Sequence, residues 1–327
     1  MTATMQAAPT LPAPRGPVSE AVLSALRGNL PDLPSADEFA PYGEDVQLAL
    51  YCCYEPHYRG FLEVDAEQEW DPALLAIRAE LERVFLSALR RDVPASADVD
   101  SELNELLVEN VDAFGISHHL RHRGELWQLR EYIAHRSLYH LKEADPQTFV
   151  IPRLDGPPKA ALVTVQHDEY GAGDPERAHS KLFAEMMTGL GLSAAYGAYL
   201  GSAPAEMLAE VNLMSLCGLH RGLRAALLGQ FAAVELTSSP GADRLVKAMR
   251  RLGCGPAAVR FYAEHVEADA VHEQLVRREV IAPLLAAEPE LASDVAFGIR
   301  SSTLLAARFE DRLLHHWGRG ESSFRHG

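Results

Sequence analysis

The chain has 327 residues, a net charge of −16, 47% hydrophobic and 23% charged residues, which is the composition of a globular protein able to bury a core without disulfides. The acidic balance argues against nucleic acid as a partner, because phosphate binding needs a basic surface; it suits a cationic substrate, although an acidic surface also serves solubility alone. No run approaches the ~20 apolar residues of a membrane span, and four cysteines without a CxxC pair read as buried small hydrophobes in a reducing cytoplasm.

Residues 1–17 are rich in Ala, Pro and Thr, hold one basic residue, Arg15, and have no apolar core, so they read as a disordered leader and not as a secretory signal. Beyond them the pattern is overwhelmingly helical, with alternating strand-type runs scarce. Helices are predicted over 18–27, 42–53, 72–89, 98–114 and 125–141, then over 176–190, 203–216, 221–236, 241–252, 256–285 and 288–317. Trp70-Asp71-Pro72 sets an Asp N-cap before a proline at the first helical position. Gly253 and Gly255 break the chain between two helices. Residues 145–174 interrupt the pattern: Pro146, Pro152, Gly156, Pro157, Pro158, Gly171 and Gly173 predict irregular chain, with 160–166 a short strand or helical turn. So long an irregular stretch inside a compact domain is usually functional.

The chemistry concentrates near the C-terminus of this pattern. His265, Asp269 and His272 stand at offsets that share one helical face, because a turn takes 3.6 residues. Two imidazoles and a carboxylate aimed one way suit a first-row transition metal. Phe261, Val266, Val271 and Leu275 flank that stripe and place it near a core, where polar groups need partners. Asp269 to His272 is a DxxH step, Glu176 to His179 is an ExxH step, and a glutamate stands thirty-odd residues before each, Glu143 and Glu235. That order is the one used by four-helix di-iron carboxylate bundles. Glu235 lies in the apolar run from Phe231 to Leu236, where an unpaired carboxylate would be costly. Glu169, ten residues before His179, competes with Glu176 for one role, and spacing does not choose between them.

Other polar residues have plainer readings. His118, His119 and His122 read as a solvated helix start, and His135 and His140 as outer-shell or core groups on the helix leading to Glu143. Arg153 serves either a substrate carboxylate or a structural pair, and Tyr170 lines a pocket or packs under the loop. Neither a phosphate-binding glycine loop nor a GxSxG elbow is present.

With these residues in view, the chain resembles the heme-oxygenase-like di-iron oxidases, over about residues 46–317. The signposts are Lys142-Glu143-Ala144-Asp145-Pro146, Ile151-Pro152-Arg153-Leu154, Asp168-Glu169-Tyr170-Gly171, His179-Ser180-Lys181-Leu182-Phe183, Glu235, and the His265, Asp269, His272 triplet. The resemblance implies an all-α, heme-oxygenase-like bundle with an N-terminal helical extension: a helical region 18–115, the di-iron bundle 116–319 and a tail 320–327. It implies that Glu143, His179, Glu235, His265, Asp269 and His272 ligate two irons. A subgroup similar to the central domain of the streptozotocin N-nitrosourea-forming enzyme has a further carboxylate, matched here by Glu169, which leaves Glu176 as a first-turn helix carboxylate. Members with that seventh ligand tend to oxygenate nitrogen; those without it tend to cleave C–C bonds of amino or fatty acids. The implied function is therefore a biosynthetic di-iron N-oxygenase. It would act through a peroxo-di-iron(III) species formed from O2, on a small-molecule amine or guanidine, with Glu169 in the catalytic role. An external reductant, a homodimeric state, and no nucleic-acid or membrane partner are expected with it. The alternatives are a di-iron lyase or decarboxylase and a ferritin-like iron-binding protein; the latter pattern needs no third histidine such as His265.

Overall fold

The structure, a computed structural model, describes residues 8–29, 39–109 and 113–325. In chain order its helices are α1 (Pro17–Leu26), α2 (Glu44–Tyr54), α3 (Pro72–Asp92), α4 (Val99–Leu107), α5 (Ile116–His122), α6 (Leu126–His140) and α7 (Asp145–Thr148). They continue with α8 (Gly156–Glu169), α9 (His179–Gly189), α10 (Ala205–Leu219), α11 (Arg224–Arg251), α12 (Pro256–Leu275), α13 (Ala282–Ala287) and α14 (Ala292–Gly318). Among the described residues there is no strand, as the lack of alternating runs predicts. Asp71 caps α3 as its sequence foretells: the carboxylate accepts from Leu74 N, and Pro72 occupies the first turn.

The helix expected over 98–114 ends at Leu107, and three further elements, which bear on the site, differ from the sequence reading. Residues 145–174 are not irregular chain, for α7, a 3₁₀ turn at Ile151–Arg153 and α8 occupy most of the segment. The reason is positional: Pro146, Pro152 and Pro157 all sit in first turns, where a missing N–H costs nothing and a fixed φ helps. The break expected between residues 236 and 241 does not occur, and α11 runs through it, Pro240 included. Both of its halves are buried, at Leu236 on one side and Ala242 and Leu245 on the other, and that packing outweighs the ~3 kcal/mol cost of an interior proline. Thr237 and Ser238 hydroxyls donate to the carbonyls of Ala233 and Glu235 beside the proline. Finally, the helix expected over 256–285 contains a π-helical segment, Val276–Ile281, which starts four residues after His272, and such segments recur at functional sites.

The bundle centres on α11 and α14, which approach backbone to backbone. A Cβ at Gly229 would collide with the Val295 carbonyl, and one at Gly298 with that of Ala226. Buried apolar residues from Val18 in α1 to Trp317 in α14 form one continuous cluster, and Cys52, Cys53 and Cys217 are buried within it, unpaired. Of the segment expected to be a leader, residues 8–16 lie against the bundle: Pro9 O accepts from Leu62 N, and Arg15 pairs with Glu44 and donates to Leu200 O. Residues 1–7 are outside the described residues. Near the other end, Ser322 and Ser323 close on the buried Glu131 carboxylate, which also accepts from Trp317 Nε1. No described helix is long and apolar enough to cross a membrane.

Candidate metal centre

Four helices and one turn deliver the candidate ligands to one place. Glu143 sits in the turn just past α6, before Ala144, whose φ of 73° is a left-handed conformation a non-glycine residue adopts at some cost. Glu169 ends α8, and His179 starts α9. Glu235 projects from the middle of α11, and His265, Asp269 and His272 from α12. None of the seven is more than 9% exposed, so their charges cannot be left to water.

Atoms of six of the seven gather in two groups, Glu143 with His179 and His265, and Glu169 with Glu235 and His272, the atoms of each lying within 4.8 Å of one another, and Asp269 belongs to neither. Glu169 stands between the groups. Its Oε2 is 2.7 Å from His179 Nδ1 and its Oε1 3.4 Å from His272 Nδ1. Glu235 Oε2 is 3.3 Å from the same His272 nitrogen, and Asp269 Oδ1 is 4.0 Å from it. His265 Nε2 lies 3.8 Å from Glu143 Oε1, and the His179 and His265 rings are 4.3 Å apart between centroids.

Of the two competing carboxylates, the structure brings Glu169 to His179. Glu176 belongs to a 3₁₀ turn outside α9, so the ExxH step is not a helical one and Glu176 is no first-turn carboxylate of that helix. Its side chain is exposed and lies 3.7 Å from Lys181. Arg153 donates to the carbonyls of Gly218 and Leu219, closing the end of α10, and Tyr170 donates to Asp145 at the surface. His119, read as solvated, is buried against Trp317 and bonded to Gln128.

Two outer contacts orient the inner donors. His265 donates through Nδ1–H to the Phe261 carbonyl at 2.8 Å, which fixes its tautomer and leaves Nε2 as a lone-pair donor. His140 donates through Nδ1–H to Glu143 Oε1 at 2.7 Å, leaving Oε2 free. The fit to a metal then rests on the orphans: Glu143 Oε2, His179 Nδ1, Glu235 Oε2, Asp269 Oδ2 and His272 Nδ1 are all buried without a hydrogen bond. His179 Nδ1 is close to Glu169 but lacks hydrogen-bond geometry. Native interiors leave few such atoms unpaired, and five carboxylate and imidazole atoms gathered in one place have the chemistry of a transition-metal site.

Protonation tells the same story. Burial alone would lower the imidazoles, but the carboxylates around them prevail. Glu143 pushes His265 up to about 10, and Glu169 and Glu235 push His272 up to about 11. Burial would raise Glu169, yet His179 and His272 bring it down to about 2. Glu235 is raised to about 7, chiefly by burial and then by the charges of Asp269 and Glu169. Without metal, protons on the histidines hold the carboxylates together.

The cavity beside these donors, about 480 Å³, is lined by Glu143, Glu169, Glu235, His265 and Asp269 and by the aromatic rings of Tyr139 and Phe261. Residues 130–307, more than half of the chain and all of this site, match the family model described as "Iron-containing redox enzyme". The chain belongs to the iron-containing redox enzyme family. Its fold is heme-oxygenase-like. It resembles a CADD-like protein of unknown function from Nostoc punctiforme PCC 73102 (TM-score 0.53, 18% identity, covering 66% of this chain and 96% of that one). It also resembles a domain of unknown function with a heme oxygenase-like fold from Shewanella denitrificans OS217 (TM-score 0.51, 18% identity, covering 74% and 98%). At that identity the likeness speaks for the fold alone. No curated protein matches the chain. Family membership makes iron the metal to which the buried His and Glu clusters are suited.

Sequence reasoning left some residues of the site without a role. His140 had only a generic one, although Arg136, His140 and Glu143 recur at a spacing that shares a face. Asp168, 3.5 Å from His272 Nε2, and Glu210, across the cavity on α10, needed the tertiary structure.

Proposed function

We propose that this chain is a non-heme di-iron oxygenase that adds oxygen to the nitrogen of a small amine or guanidine-type substrate, with electrons from an external donor. The carrying observation is the pair of adjacent three-residue donor groups with their orphaned atoms. Glu143, His179 and His265 would hold one ion, Glu169, Glu235 and His272 the other, and Asp269 would add a donor beside His272. Bound there, two ferrous ions would supply the reducing equivalents that dioxygen activation requires.

The chain's own groups do the rest. His140 and the Phe261 carbonyl hold Glu143 and His265 in ligating orientation. Phe183 stacks on His140 and Phe261 meets it edge-on, and both, fully buried, keep water from that side. Glu169 favours nitrogen as the target. A fourth carboxylate beside Glu143, Glu235 and Asp269 adds negative charge, which stabilises the ferric state, and an electron-rich nitrogen reacts without removal of a C–H hydrogen.

The test supplies iron-loaded protein with reductant, oxygen and a panel of amines and amino acids, and reads products by mass. The reading expects oxygen added at nitrogen, and loss of that product in Glu169→Ala at unchanged folding. Release of carbon dioxide or formaldehyde with no N–O bond formed would give the function to a lyase.

A further inference from the structure

A half-buried charged pair shares the cavity with the metal donors. Arg136, on α6 one turn before His140, donates through Nη1 to Glu210 Oε2 on α10 at 2.7 Å. Their side chains are 15% and 10% exposed, and both line the cavity. The pair satisfies only part of its capacity. Arg136 Nε and Glu210 Oε1 are buried with no hydrogen-bond partner, and so is Oε1 of Gln230, which is 1% exposed and lines the same cavity. A pair serving only to tie α6 to α10 would gain by filling those positions from the protein, as buried polar groups normally do.

The open positions have a definite chemistry. One is a cationic donor, and two are acceptors, one of them anionic. The pair itself is neutral, so a bare carboxylate or a bare ammonium would leave a net charge buried, at high cost. A ligand head carrying both charges, set antiparallel to the pair, leaves none. The cavity volume of about 480 Å³ lies in the range of small-ligand sites. Arg136 lies one turn, about 6 Å along α6 at 1.5 Å per residue, before His140, and Glu143 follows in the turn beyond. A lysine- or arginine-length side chain spans that gap once the arm of Arg136 is counted.

We infer that Arg136 and Glu210, with Gln230, form a head-group subsite for the zwitterionic end of an α-amino acid, which directs the far end of its side chain toward the metal donors. The carboxylate takes the free guanidinium edge of Arg136, and the ammonium takes Glu210 Oε1 and Gln230 Oε1. Tyr132 and Tyr262 line the same cavity. The choice of which end of the ligand reacts rests on the N-oxygenase reading; the binding of the head does not.

Calorimetric titration of the full chain, metal-free and iron-loaded without oxygen, tests it with L-lysine, L-ornithine and L-arginine, each beside its decarboxylated amine, and with 6-aminohexanoate, which lacks the α-amino group. At least one amino acid should bind about tenfold or more tightly than its amine, and 6-aminohexanoate should bind as weakly as the amines. Arg136→Gln should remove that preference with the iron content unchanged. If that variant fails to fold, Arg136→Met combined with Glu210→Met restores an uncharged, packed contact and should bind none of the amino acids. No binding by any of the three amino acids, equal binding of acid and amine, or native affinity in the double variant would overturn the subsite. A native chain that binds the amino acid but takes up no iron would defeat the di-iron reading and leave the subsite standing.

Discussion

Lys142 and Glu143 are neighbours in sequence, both buried, and they belong to opposite kinds of polar cluster. Lys142 is 2% exposed, and its ammonium donates to Glu55 Oε2 at 3.0 Å while lying over the Tyr58 and Tyr51 rings at 3.9 and 4.8 Å. Glu55 Oε1 accepts from Tyr196 at 2.7 Å, so both carboxylate oxygens are engaged. One residue on, Glu143 faces a cluster in which carboxylate and imidazole atoms are left over. The first cluster closes on itself and joins α2 to the bundle. The second closes only when something else enters. Burial and charge are common to both, and satisfaction is what separates a structural network from a site.

The contrast can be broken by substitution. Lys142→Ala or Glu55→Ala strands a buried charge and should cost about 3–5 kcal/mol in denaturant unfolding of the metal-free chain. Glu235→Gln removes a buried carboxylate whose charge burial and the neighbouring carboxylates already disfavour, so metal-free stability should move by no more than about 1 kcal/mol, while iron uptake falls. Equal destabilisation by both sets would mean that the two clusters are alike and that the donors are structural.

Helical arithmetic made part of this legible beforehand. His265, Asp269 and His272 needed only 3.6 residues per turn, and Glu235 needed only its apolar neighbours. Glu169 against Glu176 was legible from the family resemblance but not from spacing, because the decision lies in where α9 begins, and a 3₁₀ turn at Pro175–Arg177 moves that start to His179. Residues 145–174 were misread because proline ends a helix in one position and opens it in another, and composition does not say which. The pairing of Arg136 with Glu210 depends on how α6 meets α10, which no local pattern encodes.

Protons sharpen the comparison. In the metal-free chain His265 and His272 have raised pKa values, so their contribution to stability is full below about 6.5, the unfolded value, and is lost as pH rises through about 10 and about 11. Glu169 is depressed, so its contribution is present above about 4.3 and lost as pH falls through about 2. At neutral pH a metal must displace the imidazole protons. Uptake should therefore release on the order of one or two protons per chain and tighten from pH 6 to 8, read by calorimetry in buffers of different ionisation enthalpy. Uptake without proton release would contradict the histidine assignments. The smallest effect belongs to a satisfied group at the surface: Asp71→Ala, which removes the α3 cap, should cost about 1 kcal/mol and leave iron content untouched.

The central claim is that the orphaned donors are the site of two irons. Crystals of chain loaded with Fe(II) without oxygen, measured at the iron absorption edge, test it most directly. Two anomalous peaks should appear, one among Glu143, His179 and His265 and the other among Glu169, Glu235 and His272. A single peak, or none after anaerobic loading with excess iron, would contradict it.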